Sequence, residues 1–72
     1  MPTATNYTVL VEWEDQGICD ADEIVVRART KSEANSIARQ RWWKTNLAEW
    51  PSCRIRTVRT IRENGRLLID SD

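Results

Sequence analysis

The sequence predicts an α+β domain: an antiparallel sheet of about four strands in the order β-β-α-β-β, with one helix packed on one face. Three observations predict it. Residues 7–14, YTVLVEWE, alternate between two faces with a period of two, the mark of a strand with one buried side. Thr30 and Glu33 form a capping box at the head of a helical stretch. Asn64-Gly65 separates two strand-like runs and suits a two-residue hairpin turn, because both residue types tolerate positive φ.

Taken in order, residues 1–6 are small or polar and read as a flexible lead-in to a single domain spanning 1–72. In the first strand Tyr7, Val9, Val11 and Trp13 share one face, and Thr8, Leu10, Glu12 and Glu14 the other. Asp15 to Glu23 is acidic, contains Gly17 and reads as a loop. Residues 24–29, IVVRAR, form a second strand with Ile24, Val26 and Ala28 inward. A connection of about nine residues is too short for a helical crossover, so this strand pairs antiparallel with the first. The helix is expected from about Lys31 to Glu49, with Ala34, Ile37, Ala38, Trp42 and Thr45 toward the sheet. Pro51 stops it. Residues 53–62, CRIRTVRTIR, and 66–70, RLLID, form the closing hairpin, with Arg62 opposite Leu67.

A chain of 72 residues holds one domain with a thin core. The absence of a signal-peptide pattern or a long apolar run, together with only two cysteines, Cys19 and Cys53, reads as a soluble cytoplasmic protein with reduced thiols and no membrane partner. Net charge is zero, yet the charges are segregated. Residues 1–24 hold six acidic side chains and no basic one; residues 25–66 hold all eleven basic side chains and three acids.

The residue types argue against an enzyme. There is no histidine, so the commonest general base and the imidazole of nucleophile–base pairs are missing. Two remote cysteines without histidine make no zinc site, and two glycines make no phosphate-cradling loop. No catalytic residue, metal or cofactor is therefore expected.

Two kinds of binding remain. The first is protein binding or regulation, with a second copy of the chain as the expected partner in a homodimer. At about 100° per residue, Trp43 lies opposite the sheet-facing stripe, with Leu47 near it and Trp50 joining if the helix reaches that far. Arg39 flanks this side, so Arg39, Trp43, Leu47 and Trp50 are the candidate interface. The other possibility is that the helix ends near Asn46 and folds Leu47 and Trp50 over the core edge, leaving Trp43 exposed alone. The alternative function is nucleic-acid binding. Nine arginines stand against two lysines, and Arg27, Arg29, Arg54, Arg56 and Arg62 form a basic surface if their strands present one outer face. An ordinary charged face with ion pairs to Glu12 and Glu14 is the simpler account of the same residues.

Overall fold

Alternation in the first strand decides the layering. In the structure, a computed structural model that describes residues 4–68, β1 (Thr5–Asp15) buries Tyr7, Val9 and Val11 on one face. Its neighbour β2 (Ile18–Ala28) supplies Val26 and Ala28 to the same face, with Ile24 packed at their margin. The helix α1 (Lys31–Asn46) lies against this face through Ala34, Ala38 and Trp42. Alanine at two successive turns lets the helix approach closely, and Trp42, 1% exposed, fills the space further along. β3 (Arg54–Glu63) and β4 (Arg66–Leu67) complete a sheet in the order β2-β1-β3-β4, with every neighbouring pair antiparallel. The predicted four-stranded α+β architecture is the observed one.

The expected loop over Asp15–Glu23 is a correction. β1 and β2 form a tight hairpin in which Asp15 opposes Ile18, with only Gln16 and Gly17 between them. Both turn residues have positive φ, 50° and 84°, as a primed two-residue turn requires. Glutamine rarely takes this conformation, and Asp20, Asp22 and Glu23 have low strand propensity, so neither turn nor strand is visible locally. Pairing along the whole of β1 overrides those preferences.

Asp22 shows what the correction changes. It opposes Val11 on the helix-covered face. Its Oδ2 accepts hydrogen bonds from the indole Nε1 of Trp13 at 3.1 Å and of Trp42 at 3.0 Å. One carboxylate oxygen thus joins β2, β1 and α1. The two indoles sit 6.4 Å apart, and Trp43 meets Trp42 edge-on at 6.2 Å.

The helix begins as predicted. Thr30 caps it, its hydroxyl accepting from the Glu33 N–H at 3.1 Å, while the Glu33 carboxylate accepts from the Arg29 N–H at 3.4 Å. It ends at Asn46 rather than Glu49. The Asn46 side chain donates to the Trp42 carbonyl, and the Trp50 N–H folds back onto the Asn46 carbonyl at 2.7 Å. Those bonds satisfy the last helical carbonyls before Pro51 intervenes. Thr45, expected on the sheet-facing stripe, is exposed.

The last turn is as predicted, with positive φ at Asn64 (51°) and Gly65 (79°) and Arg62 opposite Leu67. Asn64 also ties the sheet, its N–H donating to the Asn6 carbonyl and its Oδ1 accepting from the Asn6 N–H. β1 thus takes in Thr5 and Asn6 of the expected flexible lead-in, while residues 1–3 lie outside the described residues. β4 covers only Arg66 and Leu67 of the expected 66–70 strand; Ile69 and Asp70 also lie outside the described residues.

Two stability tests follow from these features. Asp22→Ala removes the shared acceptor from two part-buried indoles and should cost about 3 kcal/mol, the lower end for two bonds to a charged group. Asp22→Asn, which keeps one acceptor oxygen, should cost about 1 kcal/mol. Urea midpoints at unchanged m-value measure both. Gln16→Asn relieves the left-handed turn residue and should raise stability by up to about 1 kcal/mol in the same assay.

Candidate functional site

The candidate interface residues come from the exposed side of α1. Trp43 is 40% exposed, Leu47 is half-buried and Arg39 is exposed. They overlook the start of β3 across a groove of about 650 Å³, lined also by Pro51, Cys53, Arg54, Ile55 and Arg56. Trp50 does not join them. The early helix end turns it to the other side of Cys53, where it is 55% exposed and lines a smaller, apolar hollow with Trp13 and Ile18. The two indoles bonded to Asp22 are therefore structural, and the other two are open to solvent.

β3 does not keep strict alternation. It carries two β-bulges against β1: Thr57 opposes Glu12 while Ile55 opposes Trp13, leaving Arg56 unmatched, and Ile61 is unmatched in the same way between Thr60 and Arg62. Each bulge resets which side chains face outward. Arg54, Thr57, Arg59 and Arg62 accordingly stand with Glu14, Glu12, Leu10 and Thr8 on the helix-free face. Arg56, unmatched at its bulge, reaches on this same face to Cys19, which opposes Glu14, so Arg54, Arg56 and Arg62 share a face and Arg59 joins them there.

The arginines of the expected basic face are distributed along the sheet rather than gathered. Arg27 opposes Asn6 and Arg62 opposes Thr8 near one end, whereas Arg54 opposes Glu14 near the other. Six residues of strand at about 3.3 Å each put roughly 20 Å between Arg62 and Arg54. Arg29 lies beyond the end of β2, at the helix entrance. Carboxylates answer several of these charges. Arg62 reaches across β1 to Glu23 at 2.9 Å, and Arg59 lies 3.9 Å from Glu12, which also accepts from the Thr57 hydroxyl at 2.6 Å. Such solvated pairs contribute less than about 1 kcal/mol each, but they neutralise the centre of the face. Arg56 is engaged differently, donating to the Cys19 Sγ at 3.4 Å.

Among the described residues the side chains of Arg27, Arg29, Arg39, Arg54 and Arg66 make no hydrogen bond or ion pair, and of these Arg39 and Arg54 border the groove. The groove therefore brings Arg39 beside an exposed indole whose N–H has no partner among the described residues, along the open start of β3, while the Arg54 side chain stands on the opposite face of that strand and the Arg56 guanidinium is held at Cys19. The helical half of this site is legible from spacing in the sequence. Its lying along the start of β3 is not, because that depends on β3 pairing beyond β1. Among the described residues no group of three or more His, Cys, Asp or Glu side chains is placed to hold a metal ion. No helix there is long and apolar enough to cross a membrane.

Cys53 forms the floor between groove and hollow and is buried, whereas Cys19 is exposed. Burial pushes the Cys53 thiol above its ordinary pKa, with Asp15 and Asp22 adding to the effect. Unfolding releases that constraint. Between the unfolded and folded values the native state holds more protons, so stability falls as pH rises through that window. A thiol reagent at neutral pH should modify Cys19 fast and Cys53 only through opening of the domain. Alkaline loss of stability should be smaller in Cys53→Ala than in the parent, measured by urea midpoints from neutral to alkaline pH.

Compared with family models, with curated proteins and with solved structures, the chain matches none, so a functional reading rests on the chemistry of the groove itself.

Proposed function

We propose that this chain is a non-catalytic protein-binding or regulatory module that engages its partner through the groove between α1 and β3. One observation carries the reading: exposed Trp43 and half-buried Leu47 line one groove with Arg39, whose guanidinium has no partner among the described residues. Tryptophan and arginine are the residue types that most often anchor protein interfaces, a flat aromatic supplying buried area and a fork of donors supplying direction. Burying the rest of one large side chain is worth up to about 1.5–3 kcal/mol by transfer, enough for an anchor but not for a complex. A stable interface takes about 800 Å² from each partner. The chain exposes 5516 Å² in all, so the groove is the centre of a contact that must extend along the helix or the sheet edge.

Self-association through the helix is the second reading, favoured by Trp43 and Leu47 lying on one side of α1. Sedimentation separates the two. A dimer that dissociates in Trp43→Glu supports self-association, and a wild type monomeric at high concentration removes it. Binding to other proteins is tested by panning a displayed random-peptide library on the immobilised domain. Peptides should be enriched on the wild type and at least tenfold less on Trp43→Glu, with circular dichroism confirming that the variant is folded. Equal enrichment on both proteins, or none on either, overturns the assignment of the groove.

A further inference from the structure

The strand that floors the groove is unpaired on its outer side. β1 has a neighbour on each side, β2 and β3. β3 has β1 on one side, but on the other β4 pairs only with Arg62 and Glu63, and the Leu68 N–H adds one bond to the Ile61 carbonyl. Among the described residues nothing pairs with the outer edge of β3 from Arg54 to Thr60. Such an edge presents a row of backbone donors and acceptors that can template another strand. Above its first half stand Trp43 and Leu47. The helix is anchored over its second half, where the Thr60 hydroxyl donates to Asn35 Oδ1 at 2.8 Å.

The charge of this edge selects the occupant. Residues 54–60 contain Arg54, Arg56 and Arg59 and no acid. Two copies pairing these edges would line one seam with arginines from both, and like charges crowded together destabilise a sheet. The same arrangement complements a strand with carboxylates at alternate positions. Arg54 and Arg59 share the helix-free face of this edge, where they can receive them, while Trp43 stands over the other face. The Trp43 indole N–H, without a partner among the described residues, is available to a carbonyl of the incoming segment.

We infer that the open edge of β3 binds an extended acidic segment of a partner protein as an added strand, with Arg54 and Arg59 pairing its carboxylates on the helix-free face and Trp43 covering an apolar side chain on the other. Main-chain bonds would supply affinity and alternate side chains specificity, as in other strand-addition complexes. This inference rests on the protein-binding reading above and specifies its ligand.

The test uses three fluorescein-labelled probes on the intact domain: an eight-residue peptide alternating glutamate and valine, the same peptide with lysine for glutamate, and a twelve-nucleotide oligothymidylate. The acidic peptide should bind at least tenfold more tightly than the basic one in fluorescence anisotropy, and added salt should weaken it. Methylating alternate backbone nitrogens should abolish binding in one of the two phases of methylation, since only one set of amides faces β3. Arg54→Gln with Arg59→Gln should cost tenfold or more, while Arg27→Gln, remote from this edge, should leave affinity unchanged. Indifference to methylation in both phases, or to peptide charge, would overturn the inference. Tighter binding of oligothymidylate than of the acidic peptide would overturn it in favour of a nucleic-acid ligand. If library panning enriches groove-dependent peptides that are neutral or helical, strand addition fails while the protein-binding reading stands. If panning enriches nothing and the acidic peptide does not bind, both fail.

Discussion

Asp22 Oδ2 receives the indole N–H groups of Trp13 and Trp42, and the attachment of the helix to the sheet depends on that shared bond. The domain has little core to spare. Its fully buried side chains are three valines, one tryptophan and small residues on a single sheet face. Trp42 supplies most of the helix's buried bulk, but an indole carries a donor that cannot be left unmet. A strand carboxylate meets it and holds Trp13 beside it. Asp22 can do so only because β2 starts at Ile18, placing residue 22 inside the sheet. The hairpin turn at Gln16-Gly17 and the packing of α1 are therefore parts of one constraint.

The same arrangement accounts for which tryptophans are open. Trp13 and Trp42 are committed to Asp22. Trp43, the next residue on the helix, must point away from the sheet because successive helical residues diverge by about 100°. Trp50 follows a helix end closed by Asn46 and is carried to the far side of Cys53. Exposed aromatic surface in this chain is thus a by-product of placement at Trp50 and part of a charged groove at Trp43. That difference separates a docking anchor from an isolated apolar side chain.

Charge is redistributed by strand pairing. In sequence the acids lead and the bases follow. In space the acidic β1–β2 hairpin lies directly beside the arginine-rich β3, so Glu12 and Glu23 meet Arg59 and Arg62 and the outer face is largely compensated. Among the described residues, guanidiniums without a partner survive at Arg27, Arg29, Arg54 and Arg66 on or beside the sheet and at Arg39 on the helix. The proposed acidic strand would draw on the one at the open edge of β3, Arg54.

Period-two alternation in residues 7–14, the Thr30 cap and the Asn64-Gly65 turn by themselves determined the element order, the buried face of β1 and the closing hairpin, because each is a local preference that the fold also satisfies. Helical spacing likewise placed Trp43 away from the sheet with Leu47 and Arg39. The first hairpin was hidden, since a Gln-Gly turn and an Asp-rich strand contradict local propensity and are held only by pairing with β1 and by two indoles. The helix end was left open between Glu49 and Asn46, and the side chain of Asn46 rather than Pro51 closes it at the earlier one. Which arginines remain without a partner, and that Trp43 and Arg39 stand beside an open edge of β3, only the tertiary structure decided. Strand order and a bulge at Arg56 depend on contacts between residues some 40 positions apart, and no local pattern encodes them.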